Sequence, residues 1–133
     1  MRRAIFTAHA PAAIGPYSQA VVCGDLLWCS GQLGVDPATG QLVEGDAAAQ
    51  AEQCLRNLAA ICEAAGASLQ QAVRCTVYLT DIADFAAVNA VYARWFSEPY
   101  PARATVQVAA LPRGARIEID AVVALRSGVQ DRP

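Results

Sequence analysis

Val73-Arg74-Cys75-Thr76-Val77-Tyr78-Leu79-Thr80 alternates apolar and polar residues with a period of two. Val73, Cys75, Val77 and Leu79 share one face, and Arg74, Thr76 and Tyr78 share the other, the pattern of a strand covered on one side. Downstream, Asp81 or Asp84 caps a helix whose apolar stripe is Phe85, Val88, Tyr92, Trp95 and Phe96, and Pro99 and Pro101 end it. Two more strands are predicted, Thr105 to Ala109 and Arg116 to Leu125, around a turn at Pro112-Arg113-Gly114. The second sets Ile117, Ile119, Ala121, Val123 and Leu125 against Arg116, Glu118, Asp120, Val122 and Ala124.

Upstream, Asp46 is a good N-cap for a helix running to Ala65, with Gly66 as its stop. Cys54, Leu58, Ile61, Cys62 and Ala65 recur at i, i+4, i+7, i+8 and i+11, which is one helix face. Before that helix, Ala20 to Cys23 and Leu26 to Ser30 meet at Gly24-Asp25 as a hairpin, and Asp36-Pro37 and Thr39-Gly40 turn the chain after Leu33 to Val35. The predicted order is βββαβαββ: an α+β fold in which a mixed sheet carries two helices packed on one face, the helix from 84 to 96 serving as a right-handed crossover. The other face would carry Tyr78, Val122 and Ala124 beside Arg103, Glu118 and Asp120. That mixture is too apolar for open water and too charged for a core, and predicts burial against further copies of the chain. At 133 residues, one domain over 1–126 is expected, with a polar tail over 127–133.

Composition narrows the chemistry. Hydrophobic residues make up 55%, mean hydropathy is +0.28 and net charge is −2. All ten basic residues are arginine, and His9 is the one histidine. Without lysine there is no side-chain Schiff base and no P-loop lysine. One histidine cannot supply a His₂ or His₃ zinc site from a single chain, and a Ser-His-Asp triad would have to use His9. The five cysteines, Cys23, Cys29, Cys54, Cys62 and Cys75, are odd in number, irregularly spaced and without a C-x-x-C, which reads as small core residues in a reducing cytosol. Arg2-Arg3 before Ala4-Ile5-Phe6 mimics a signal peptide, but the apolar stretch falls short of the roughly 7–15 residues one needs, and the N-terminus is read as mature protein. A pI near 5.2 with no run of arginines offers no stripe for nucleic-acid phosphates. A cytoplasmic protein with neither nucleic-acid nor membrane partner is expected.

Several polar residues fit this packing scheme badly. Asn89, at about 100° per residue, falls at the edge of the helix stripe between Phe85 and Phe96, where its amide either bonds a neighbouring loop or serves a ligand. Arg103, sharing its strand face with Thr105 and Gln107, either pairs with Glu118 or Asp120 on an adjacent strand or clamps a ligand carboxylate. Glu118 is either that structural partner or a base holding water, and both hold if a ligand sits between them. Ile14-Gly15-Pro16-Tyr17-Ser18-Gln19 is a turn that throws Tyr17 outward. Ser30-Gly31-Gln32 ends a strand with a hydroxyl and a glycine N–H that a ligand can approach.

Ala10-Pro11, Ile14-Gly15-Pro16-Tyr17-Ser18-Gln19-Ala20, Ser30-Gly31-Gln32, Gln50 through Asn57, Asn89 and Tyr92, Pro101-Ala102-Arg103, and Leu111-Pro112 through Ile117-Glu118-Ile119 together resemble the RidA (reactive intermediate deaminase A, or YjgF-type) family. The match is colinear from residue 1 to about 126. The resemblance implies a trimeric, bacterial chorismate-mutase-like fold with sites in clefts between subunits. It also implies hydrolysis of reactive 2-imino acids and their 2-aminoacrylate-type enamine tautomers to 2-keto acids and ammonia, with no cofactor or metal. By position, Arg103 matches the arginine that holds the substrate carboxylate, and Glu118 the glutamate that positions the hydrolytic water. Tyr17, Ser30 and Asn89 match polar wall residues, while Gly31 and Thr105 would offer backbone groups. Ala104 departs from the serine common there. A non-catalytic trimer that binds small carboxylates such as 2-keto acids would use the same arginine.

Overall fold

Apolar residues of period two and of period 3.6 meet between a sheet and two helices, as the alternation predicts. A computed structural model describes residues 1–125, so the predicted tail over 127–133 lies outside the described residues. The strands β1 (Arg2–Ile5), β2 (Ala20–Cys23) and β3 (Leu26–Leu33) lead into a short ribbon of β4 (Val35–Asp36) and β5 (Gln41–Leu42). Then follow α1 (Ala47–Ala64), β6 (Ala72–Leu79), α2 (Phe85–Trp95), β7 (Ala102–Gln107) and β8 (Ile117–Ala124). Six strands form one sheet in the order β1-β2-β3-β8-β6-β7. Only β6 and β7 are parallel, with α2 in their connection.

The helix signals are local and hold. Asp46 accepts from the Ala49 N–H at 3.0 Å, and Gly66 takes φ +77° just past the end of α1. Cys54, Leu58, Ile61 and Cys62 are fully buried against the sheet. Asp81 caps a 3₁₀ turn at Ile82–Asp84 that runs into α2, whereas Asp84 makes no capping bond. Val88, Tyr92 and Phe96 of its stripe are buried. All five cysteines are free, four of them buried, but Cys23 is exposed rather than a core residue. Among the described residues, no helix is long and apolar enough to cross a membrane.

The structure differs from expectation where pairing is non-local. Five strands precede α1 instead of three, because β1 and the two-residue β5 carry no alternation to reveal them. Val73 is 46% exposed: a bulge between Ala72 and Arg74 turns it outward and buries Ala72 in its place. The last two strands are not neighbours, since β8 lies between β3 and β6 while β7 forms the edge beyond β6. Arg103 is in register with Cys75, and parallel partners share a face, so its side chain lies on the helix-covered side with Thr105 and Gln107. Arg103 therefore does not belong to the open face with Tyr78, Glu118, Asp120, Val122 and Ala124.

Candidate functional site

A break in strand register shapes the first cluster of candidate residues. Between Cys29 and Gln32 the pairing of β3 with β8 shifts, so β3 runs through Ser30-Gly31 to Leu33 instead of ending at them. Bulges re-aim side chains, and here Ser30 and Gly31 come to line a cavity of about 700 Å³ together with Tyr17 and Glu118. Ser30 is fixed by its hydroxyl, which donates to the Ser18 carbonyl at 2.6 Å, and by its N–H, which donates to the Gln19 carbonyl at 2.9 Å. Tyr17 is half exposed, with its hydroxyl accepting from the Ile14 N–H at 3.4 Å.

Glu118 reaches this cavity from the open face of β8. Its carboxylate rests directly on Gly31: a Cβ there would stand 2.0 Å from Glu118 Oε2 and 2.7 Å from its carboxyl carbon. Absence of a side chain at residue 31 is thus what gives the carboxylate its place. Burial, and then the neighbouring charge of Asp120, pushes the Glu118 carboxyl above its ordinary range. Asp120 is itself held by the Tyr78 hydroxyl, donating at 3.0 Å, and by the Thr76 N–H at 3.2 Å.

Three buried amides to which sequence reasoning gave no role in the site brace the segments around the cavity. Gln19, 2% exposed, accepts from the Thr7 N–H at 2.7 Å and donates to the carbonyls of Thr7, Ala10 and Pro11, pinning the segment that brings Pro11 to the cavity. Asn57 on α1 donates to the carbonyls of Leu33 and Val35 at 3.2 and 3.0 Å. Gln50 accepts from the Arg116 N–H at 2.9 Å, one residue before β8. The signal was present for the α1 pair: Gln50 and Asn57 are polar residues seven apart on the buried face.

A second cluster of expected residues lies elsewhere on the chain. Arg103 Nη1 donates to Asn89 Oδ1 at 2.7 Å, so Asn89 serves the guanidinium and not a neighbouring loop. The guanidinium carbon stands 4.7 Å from the Tyr92 ring centroid and 5.4 Å from that of Phe85, within cation–π range of both. With one Nη1 hydrogen committed to Asn89 and the aromatic faces restricting rotation, the remaining donors of the fork are left to bind an anion. The Tyr92 hydroxyl is buried without a hydrogen-bond partner among the described residues, and burial first, then the adjacent Cys75, raises its pKa.

Of the expected site residues, Tyr17, Ser30, Gly31 and Glu118 share the cavity, while Asn89 and Arg103 form the separate cluster. Thr105 is on β7 opposite Val77 and does not line the cavity. Of the two alternatives for Arg103, pairing with Glu118 or Asp120 on an adjacent strand does not occur, because β6 intervenes. Among the described residues no group of three or more His, Cys, Asp or Glu is placed to hold a metal.

Known proteins share this fold and much of this sequence. A family model described as "Endoribonuclease L-PSP" matches residues 7–125. The chain is 58% identical over 121 residues to the RutC family protein y4sK of Sinorhizobium fredii, covering 91% of this chain and 96% of that one. It is 53% identical over 122 residues to the human 2-iminobutanoate/2-iminopropanoate deaminase, covering 92% of this chain and 89% of that one. The solved structure of RidA from the Antarctic bacterium Psychrobacter is 55% identical, superimposes with a TM-score of 0.88, and covers 92% of this chain and 98% of that chain. With more than half of the aligned residues identical in such relatives and the family model spanning 7–125, the chain belongs to the RidA (YjgF-type) family.

Proposed function

We propose that this protein is a hydrolase that deaminates reactive 2-imino acids and their enamine tautomers to 2-keto acids and ammonia, at a site shared between subunits of a homotrimer. The observation that carries the reading is the Glu118 carboxyl, seated against Gly31 in the cavity and raised above its ordinary range. Deaminase relatives at 53–55% identity support it. The endoribonuclease description fits this chain less well, since RNA binding draws on a basic surface and this chain has no lysine and a pI near 5.2.

The separation of the two clusters gives the assembly its chemical sense. One chain presents the acid–base group and the polar walls Tyr17, Ser30 and Gly31. Another brings Arg103, oriented by Asn89, to take the substrate carboxylate, with Thr105 offering backbone groups beside it. Trp28, 50% exposed, and Val106, 41% exposed, lie on the open face of the sheet, where contact with other copies would cover them.

Hydrolysis of a preformed imine needs no covalent nucleophile. Glu118, more readily protonated than an ordinary carboxylate, donates to C3 of the enamine, and the resulting iminium is electrophilic at C2. Now ionised, the same carboxylate takes a proton from the water that attacks C2. The carbinolamine then expels ammonia and leaves the 2-keto acid. A carboxyl raised above its ordinary value suits both proton transfers, and general acid–base catalysis of this kind is worth about 10²–10⁴-fold.

The test generates 2-aminoacrylate in situ with a serine or cysteine lyase and follows its decay with and without the protein. Acceleration that is lost in Arg103→Ala is expected. No acceleration across several 2-imino acids would overturn the activity, and an active Arg103→Ala would overturn the site.

A further inference from the structure

The imine chemistry above gives no part to one charged residue of the Glu118 cavity. In the single chain that cavity has a volume of about 700 Å³, part of which a neighbouring subunit would take up in the proposed assembly. Beyond Glu118 and Ser30 the walls continue over Pro11, Ile14, Pro37 and Pro112, and one cation lines them, Arg113. Its position is built. The backbone sits at φ 63°, ψ 17°, the left-handed region that non-glycine residues seldom occupy, and such conformations persist only where the surroundings impose them. What imposes it here includes the Arg113 Nη2, which donates to the Gly40 carbonyl at 2.7 Å and ties the turn before β8 to the β4–β5 ribbon.

That bond uses one of five guanidinium donors and none of the charge. Arg113 makes no ion pair with a described residue. Nor does it quench Glu118, whose carboxyl is raised by burial and by Asp120 and not lowered by a cation. A solvent-exposed guanidinium without an ion pair among the described residues, on the wall of the cavity that holds Glu118, has the donors a second carboxylate requires.

We propose that Arg113 is a second carboxylate-recognition point, so that the cavity accepts dicarboxylic 2-imino acids with one carboxylate on Arg103 and the other on Arg113. The inference rests on the imine-hydrolase reading and narrows its substrate class. The four- and five-carbon imino acids formed by oxidising the amine of aspartate and glutamate have the required charge at both ends.

The experiment produces these imines with an amino-acid oxidase, traps them with semicarbazide, and measures how far the protein diverts them to keto acid. The imine of alanine is run in parallel as the monocarboxylate. Wild type is expected to turn over the dicarboxylates. Arg113→Met should lower the ratio of dicarboxylate to monocarboxylate kcat/KM about tenfold, the scale of a charge-assisted hydrogen bond, and Arg113→Lys should recover most of it. Circular-dichroism melting of each variant confirms the fold. Monocarboxylate turnover without dicarboxylate turnover, or a ratio unmoved by Arg113→Met, overturns this inference and leaves the activity standing. No turnover of any imine overturns the activity itself.

Discussion

Gly31→Ala isolates the contact on which the proposed chemistry depends. Residue 31 has ordinary negative-φ or extended backbone, so alanine introduces no backbone strain, and the three atoms nearest its Cβ all belong to the Glu118 side chain, at 2.0 Å for Oε2, 2.7 Å for the carboxyl carbon and 3.0 Å for Cγ. Restoring an ordinary contact of 3.4 Å moves the carboxylate by about 1.4 Å. A misplacement of about 1 Å can cost about 10²-fold, so kcat/KM for 2-aminoacrylate should fall about 100-fold or more. Stability should change by less than about 1.5 kcal/mol, because the atoms that give way are the end of a half-buried side chain that can change rotamer. The assay is a double-mutant cycle with Glu118→Ala, which removes the obstructing atoms together with the acid–base group. Gly31→Ala in that background should lose less than about twofold further. Equal losses in the two backgrounds, or a Gly31→Ala single variant within about threefold of wild type, would refute the role given to the Gly31–Glu118 contact.

Three further outcomes follow from the same geometry. A carboxyl raised in the folded state binds protons there that the unfolded chain has released, so stability falls as pH rises from the ordinary carboxylate value through the folded one. Glu118→Gln should therefore melt higher than wild type at pH 7, lose that advantage below the ordinary carboxylate range, and abolish the proton-dependent limb of kcat/KM. Asn89→Asp would set a carboxylate 2.7 Å from Arg103 Nη1 in competition with the substrate, raising KM about tenfold with kcat changed less than about threefold. Gln19→Ala strands the Thr7 N–H and three carbonyls around a buried side chain and should destabilise by about 2–3 kcal/mol in urea unfolding, with a weaker fit of the Pro11 wall.

Local signals made much of the fold legible. The alternation around Cys75, Val77 and Leu79, the Asp46 cap and the Gly24-Asp25 hairpin each depend on a few neighbouring residues, and each stands in the structure. Strand order does not have that character. Nothing near Ile117 says that β8 inserts between β3 and β6, so the sequence pattern sets Arg103 on the open face and keeps a pairing with Glu118 or Asp120 open beside the carboxylate clamp, whereas the structure puts it on the helix-covered side with β6 between it and Glu118. The polar residues of the candidate site stood out because they broke the apolar pattern. Their grouping did not, since Asn89 meets Arg103 through a crossover and Glu118 meets Gly31 through a bulge, both products of tertiary pairing. Gln19 escaped notice because a buried amide next to a turn looks in sequence like any loop residue.

The central claim is that Arg103 of one subunit and Glu118 of another complete a single deaminase site, and subunit mixing tests it most directly. Arg103→Ala and Glu118→Ala homo-oligomers, each inactive alone, are combined in equal amounts, exchanged by mild denaturation and refolded, and assayed for 2-aminoacrylate decay. If each site draws its arginine from one chain and its glutamate from the next, one-half times one-half of the sites regain both residues, and about a quarter of wild-type activity should return. Activity that stays at the level of the unmixed variants, while chromatography shows that the subunits have exchanged, would contradict the shared site.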